Sequence, residues 1–277
     1  MTKILFLTIV SMSILSMVTK AQEIKMPYDN PLMRKSDLQY QAPIFDKIKD
    51  EHFKPAFEVG MQLQNKDLER LANSKLTPTF ENTVLVLENS GELLGRATGI
   101  FYNLTGSNTN PTLQAIEEEY APKFSAHNDK IYLNSKLYNR VKAIDLNSLK
   151  GEDKKLTEYY LQQFELAGAN LSDADKAKMK KINEELASLS TAFGNRLLVA
   201  RKNGAVLFSN VKDLDGLGAD ELEAAKTLAK EAGHEGQYLI GLLNTTQQPL
   251  LQYLNNRSTR EKIYKSSWTR SEKGDSG

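Results

Sequence analysis

No cysteine occurs in the 277 residues, which excludes a disulfide framework, thiolate metal ligands and a cysteine nucleophile. Stability must come from a packed core, and a chain of this length can bury a large one or divide it between two domains. A charge surplus is also missing: 36 Lys and Arg stand against 35 Asp and Glu, a net charge of +1. A nucleic-acid binder usually carries a basic excess or stripe. Here the lysine cluster Lys176, Lys178, Lys180 and Lys181 is answered at once by Glu184 and Glu185, which reads as a solvated helix face with weak pairing. Composition argues against a nucleic-acid partner. Phosphate-cradling loops are lacking too. Gly216-Leu-Gly218 has neither the third glycine nor the preceding strand of a dinucleotide fingerprint, and no Gly-Lys-Ser/Thr occurs. What remains, 40% apolar and 26% charged residues, is ordinary for a soluble globular protein.

Long apolar runs are scarce, with the conspicuous one at the amino terminus. Lys3 precedes the stretch Ile4 to Val18, and Thr19-Lys20-Ala21 places small residues where a signal peptidase reads. Residues 1–21 are therefore expected to be a signal peptide, cleaved before Gln22. The run is shorter than the roughly 20 apolar residues that span a bilayer, and no cysteine follows it for lipid attachment. Export is expected, with no membrane association after removal of the signal.

From Gln22 to Pro43 the chain is punctuated by Pro27, Pro31 and Pro43, which suggests an extended arm lying across the surface. Helical periodicity follows. Lys54-Pro55 opens a helix carrying Phe57, Met61, Leu68 and Leu71. Thr77-Pro78-Thr79-Phe80-Glu81 opens a second, with Phe80, Val84, Leu87, Leu94, Phe101 and Leu104 near a helical period. A third begins at Asn110-Pro111, and Pro122 should bend or end it. Two more cover Lys150 to Ala167 and Ser172 to Lys202. In the latter, Ser172 and Asp173 cap the start, while Met179, Ile182, Leu186, Leu189, Phe193, Leu197 and Ala200 form a stripe expected to be core packing. Short strands are expected at 205–208 and 238–243, with a helix from Ala219 to Ala232 closed by Gly233. Final helices run from about Gln247 to Asn255 and from Ser258 to Arg270. The fold class is mainly α.

Chemistry-bearing motifs are few. A zincin needs His-Glu-x-x-His on a helix, so that two imidazoles meet one metal and the Glu activates its water. The three histidines are His52, His127 and His234. His234-Glu235-Gly236-Gln237-Tyr238 has Tyr where the second His must stand, and each histidine reads as a surface or helix-end residue. Gly274-Asp275-Ser276-Gly277 matches a serine-protease nucleophile segment, but that chemistry needs a His base and a buried Asp on a β scaffold. Asn103-Leu-Thr105 and Asn244-Thr-Thr246 fit the glycosylation pattern, which matters only in a eukaryotic secretory route. Thr245, Thr246, Gln247 and Gln248 admit two readings. They could line a peptide groove as substrate-binding residues, or Thr245 could cap a helix with Gln248 completing a capping box. No catalytic or metal-binding residue is assigned.

The segment Asn244-Thr-Thr-Gln-Gln-Pro249, Arg257, Arg260-Glu-Lys262 and Trp268-Thr-Arg-Ser-Glu-Lys-Gly-Asp275 resembles the thimet-oligopeptidase-like family of zinc metallopeptidases, in particular its peptidyl-dipeptidase branch. The likeness includes Pro43 to Phe57, Phe80-Glu-Asn-Thr83, Leu104 to Asn110, Gly168-Ala-Asn-Leu171 and Ile182 to Arg196. It implies two mostly helical domains flanking a narrow channel. It also implies a zinc held in the second domain by His-Glu-x-x-His and a later Glu, and release of dipeptides from the C-termini of oligopeptide substrates. No position in 1–277 matches those ligands. The expected organisation is a helical amino-terminal domain at 22–235 and the start of the catalytic domain at 236–277, stopping before the zinc motif. The missing C-terminal catalytic domain would be its partner and the periplasm its location. An apolar face near Trp268 should then be left exposed. The alternative is a stand-alone helical protein that binds peptides or another subunit.

Overall fold

A computed structural model describes residues 29–272; the expected signal peptide, Pro27 and the Gly274–Gly277 motif lie outside them. The mainly α expectation is met. Helices α1 (Phe53–Ala72), α2 (Leu85–Asn89), α3 (Glu92–Ser107), α4 (Pro111–Tyr132) and α5 (Ser135–Lys142) come first. They are followed by α6 (Gly151–Ala167), α7 (Asp173–Asn203), β1 (Val206–Phe208), α8 (Ala219–Glu231), β2 (Tyr238–Ile240), α9 (Gln247–Tyr253) and α10 (Arg257–Thr269). No helix among the described residues is long and apolar enough to cross a membrane.

The arm does more than lie on the surface. Asn30 Nδ2 donates to the His52 carbonyl at 2.7 Å while its Oδ1 accepts the Leu32 N–H at 2.9 Å. Leu32 and Met33 are buried, and Arg96 donates to the Leu32 carbonyl at 3.2 Å. Burial of these two side chains draws the arm into a first core with Phe53, Phe57, Phe101, Leu113 and Tyr120, contributed by α1, α3 and α4. Phe57 meets Phe101 edge-on at 5.3 Å and Phe124 at 4.9 Å, the geometry aromatic rings prefer.

Three helix expectations need correction. The single helix from Thr77 to Leu104 is two, divided at Ser90-Gly91. Thr79 Oγ1 accepts the Asn82 N–H and Asn82 Oδ1 accepts the Thr79 N–H, a reciprocal cap that opens a π-turn over Phe80–Val84 before α2. Gly91 then takes φ +75°, a left-handed conformation that stops α2 and starts α3. Conversely, Pro122 does not end its helix, because α4 continues to Tyr132. Its neighbour α7 packs along it and supplies amides to its carboxylates: Asn183 Nδ2 to Asp129 Oδ1 and Asn195 Nδ2 to Glu118 Oε1, both 2.7 Å.

The third correction concerns α7. Ser172 caps it as expected, accepting the Asp175 N–H. Of the stripe expected in the core, Ala200 is buried and Met179 and Leu197 are half-buried, but the middle is turned outward: Ile182, Leu186, Leu189 and Phe193 are 57, 60, 61 and 67% exposed. The reason is the polar pairing with α4, which places Asn183 and Asn195 inward. Of the lysine cluster, Lys178, Lys180 and Lys181 are exposed, while Lys176 is buried and donates to the Ser135 hydroxyl.

A second core joins Leu68, Leu71, Val84, Leu137, Val141 and Phe164. Its polar tie is Arg140, buried on α5. Arg140 donates to the carbonyls of Ser74 (3.0 Å) and Leu76 (3.2 Å), to Asn82 Oδ1 (3.3 Å) and to Thr83 Oγ1 (3.1 Å). It thereby holds the loop between α1 and the π-turn. The third core combines Val206, Phe208, Leu214, Ala225, Ile240, Leu250, Leu254 and Ile263. The strands pair antiparallel with Val206 opposite Ile240 and Phe208 opposite Tyr238; β2 stops at Ile240, short of the expected Leu243. Gly233 closes α8 with φ +82°, and the His234 N–H reaches the Ala229 carbonyl at 2.8 Å.

Arg140→Ala should destabilise the fold by roughly 2–4 kcal/mol, since it removes four hydrogen bonds, the one to Thr83 Oγ1 buried, and empties a buried site. Urea unfolding followed by helix content measures this, and a loss under about 1 kcal/mol would show the clamp to be incidental.

Candidate functional site

The four candidate residues Thr245, Thr246, Gln247 and Gln248 lie where the chain leaves β2 and enters α9. The capping box expected from Thr245 and Gln248 does not form. The N-cap of α9 is Thr246, with φ −107° and ψ −67° and no side-chain cap bond. A backbone turn substitutes, with the N–H groups of Thr246 and Gln247 both donating to the Leu243 carbonyl at 3.0 and 2.8 Å. The helix therefore starts without using either threonine hydroxyl as a cap.

The two pairs then part. Gln247 and Gln248 line a groove of about 430 Å³ with Asn244, Tyr264, Trp268 and Arg270. Thr245 and Thr246 face a different depression, beside Leu228, Leu239 and Tyr253. In the groove Gln247 is buried and Gln248 exposed. Its far wall is α10, where the Tyr264 and Trp268 rings lie 5.7 Å apart at 47° and are 51% and 70% exposed. Arg270 Nη1 donates back to the Ser267 carbonyl at 2.9 Å and the Ser267 hydroxyl at 3.2 Å, so the guanidinium is held at the groove mouth.

The wall is rigidly mounted. Thr259 Oγ1 donates to the Asp213 carbonyl at 2.7 Å and Ser266 Oγ to the Gly204 carbonyl at 2.6 Å. Lys262 Nζ sits 4.7 Å over the Phe208 ring, a cation–π contact. On the other side, Gly216 has φ +101°, and a Cβ there would stand 2.0 Å from the Tyr253 carbonyl oxygen. Only glycine permits that approach, which brings Asn255 N–H to the Asp215 carbonyl at 2.9 Å. The arrangement offers amides, an aromatic shelf and one cation, a set that suits an extended peptide and contains no nucleophile paired with a base.

The imidazoles do not fit a metal site. His52 Nδ1 accepts the Lys49 N–H at 3.0 Å at the entry to α1, and His234 is exposed in the turn after α8. His127 is not the surface residue expected but is buried inside α4. Its Nε2 lies 2.7 Å from Gln64 Oε1, and Gln64 Nε2 in turn faces Ser90 Oγ at 3.2 Å. That arrangement makes Nε2 the protonated nitrogen, with Nδ1 buried and unpartnered among the described residues. Among the described residues no group of three or more His, Cys, Asp or Glu side chains is placed to hold a metal ion. Sequence inspection missed the His127–Gln64–Ser90 chain because its members are 63 and 26 residues apart. The one local signal was the apolar spacing of α4, which points His127 inward with Tyr120 and Ile131.

No protein-family model matches the chain. It is 44% identical over 250 residues to the dipeptidyl carboxypeptidase of Salmonella typhimurium, covering 89% of this chain and 37% of that protein. To the dipeptidyl carboxypeptidase of Escherichia coli the identity is 42%, with the same coverage. Oligopeptidase A of Haemophilus influenzae is 30% identical over 255 residues, or 90% of this chain and 36% of the relative. The resemblance read from the sequence is thus borne out along nearly the whole chain. The chain spans little more than a third of the length of the relatives it matches.

His127 gives stability a pH dependence of defined sign. Burial, reinforced by the charge of Lys130, holds its pKa below the ordinary value. The unfolded chain therefore takes up a proton near pH 6.5 that the folded chain resists. Stability is full above that pH and falls as the pH drops below it, by at most about 1.4 kcal/mol per unit. Urea midpoints at pH 7 and 5 should converge in His127→Phe relative to wild type; equal pH slopes in the two proteins would refute the assignment.

Proposed function

We propose that this chain is the amino-terminal portion of a longer, exported zinc metallopeptidase that releases dipeptides from the C-termini of oligopeptides. The observation that carries the reading is the pair of values above: identity of 44% across 89% of this chain, against 37% coverage of a protein named dipeptidyl carboxypeptidase. The dispersed histidines support it, since the chemistry then resides on residues other than these. In this reading the zinc and its His-Glu-x-x-His ligands belong to the C-terminal catalytic domain, and export to the periplasm follows from the amino-terminal leader. The described part contributes one wall of the peptide channel. Gln248 meets the substrate main chain, Tyr264 and Trp268 support its side chains, and Arg270 offers a positive charge to a carboxylate.

A second reading shares the groove: a stand-alone helical protein that binds peptides or another subunit without cleaving them. The DNA beyond codon 277 separates the two. An open frame encoding His-Glu-x-x-His supports the peptidase; an immediate natural stop supports the binding protein. For the chain by itself, the peptidase reading expects no stoichiometric zinc and no dipeptide release. Tight 1:1 zinc with dipeptide release from 1–277 would overturn it.

The groove is testable through the single tryptophan of the chain. Binding of an unstructured oligopeptide should blue-shift Trp268 emission, and Gln248→Ala should weaken the fitted affinity by roughly threefold to tenfold, about one hydrogen bond. Unchanged emission at millimolar peptide would remove this groove from the substrate path.

A further inference from the structure

The outward stripe of α7 has a regular form. Ile182, Leu186, Leu189 and Phe193 follow steps of four, three and four residues, the spacing of a seam that receives a second helix. All four are more than half exposed, so water covers an apolar strip about three helical turns long, which is unfavourable unless something else covers it. The side of α7 beside the strip is already committed to α4 through Asn183 and Asn195, which limits how far the helix can roll to bury the strip.

We infer that this stripe is the docking seam for an amphipathic helix from the remainder of the longer polypeptide, a step that rests on the peptidase reading above. Three observations favour that occupant. The relatives carry well over half their length outside the matched part. The stripe lies inside the stretch matched to these relatives, which covers 89% of this chain, rather than in an appended segment. The last described helix is anchored to the C-terminal end of α7 by the Ser266 hydroxyl on the Gly204 carbonyl, which sets the end of α10 beside the helix to be covered. A second copy of this chain fits less well. The flanking positions Asn183, Glu185, Ser190 and Ala192 carry one charge among them, leaving little to specify a self-paired register. Four side chains are also far fewer than the roughly 20–30 residues a side of a stable interface. The seam suits one contact within a larger domain junction.

The absence of native cysteine makes a direct test possible. Leu189→Cys, at an exposed position, places one thiol on the seam. Its alkylation, read by mass spectrometry of the peptide containing residue 189, is compared in the 277-residue chain at submicromolar concentration and in the protein encoded by the continued reading frame. Retained helix content in both checks folding. The thiol should react at the rate of an unstructured peptide in the short chain and at least about tenfold more slowly in the long one. Equal, fast reaction in both sinks the docking seam and leaves the peptidase reading intact. Absence of a continuing frame sinks the peptidase reading and the seam with it. Slow reaction in the short chain also overturns the inference: if it is concentration-dependent, a second copy is the occupant; if not, residues of this chain outside the described part are.

Discussion

The pairing of α7 with α4 through amide–carboxylate hydrogen bonds governs much of what this chain presents to its surroundings. Asp129 is buried, and Asn183 supplies the hydrogen bond to one of its oxygens while the other has no partner among the described residues. A buried carboxylate without its donor costs several kcal/mol on general grounds, so the Asn183 side of α7 must face α4. At 3.6 residues per turn, Ile182, Leu186, Leu189 and Phe193 then stand roughly a quarter turn round the helix from Asn183, on a face turned away from α4. Apolar burial alone would favour the opposite roll. A directional polar bond overrides it because the alternative strands a charge, whereas exposing four apolar side chains costs less per group.

Elsewhere the same economy of polar handles lets large rings be buried. Tyr120 donates to Glu58 and Tyr160 to Glu88, both at 2.8 Å, and Tyr138 to Glu165 at 3.0 Å. Burial, then the neighbouring carboxylate, pushes the hydroxyl pKa of Tyr120 and of Tyr160 well above the ordinary value, so each remains a donor at any physiological pH. Each ring contributes apolar area to its core while the hydroxyl reaches a carboxylate at the edge. Arg140 plays the complementary part for backbone carbonyls. The first two cores are thus tied by side chains from distant helices, while the third is tied by a two-stranded sheet and the close passage of Gly216 beneath Tyr253.

Local signals carried most of the secondary structure. Ser172 ahead of α7, Asn110-Pro111 ahead of α4 and Gly233 behind α8 all act within a few residues of themselves, so reading them in order sufficed. Where the reading failed, the deciding partner was far away. The helix expected through Leu104 breaks at Gly91, where Gln64 crowds the place a side chain would need. Of the two outcomes expected at Pro122, a bend or an end, the end does not occur, and α4 continues to Tyr132. The α7 stripe looked like core because periodicity reports that a face is apolar, not which neighbour it meets. The groove was half legible: Gln247 and Gln248 were candidates, but Trp268 and Tyr264 join them only once α10 folds back on α9. His127 was misjudged as a surface residue because its burial depends on Gln64 from another helix.

Apolar faces and chemistry divide unevenly in this chain. Its titratable groups with shifted pKa values include tyrosines held protonated by burial and exposed carboxylates held ionised by lysines, which are structural roles. His127, whose pKa burial lowers, is held against the Gln64 amide. Among the chain's exposed apolar side chains, Ile182, Leu186, Leu189, Phe193, Leu198 and Val199 lie on α7 and Tyr264 and Trp268 on α10, two helices joined at Gly204 by the Ser266 hydroxyl. Both helices therefore present apolar side chains outward, while the tyrosine hydroxyls and the His127 imidazole are engaged inside the described fold.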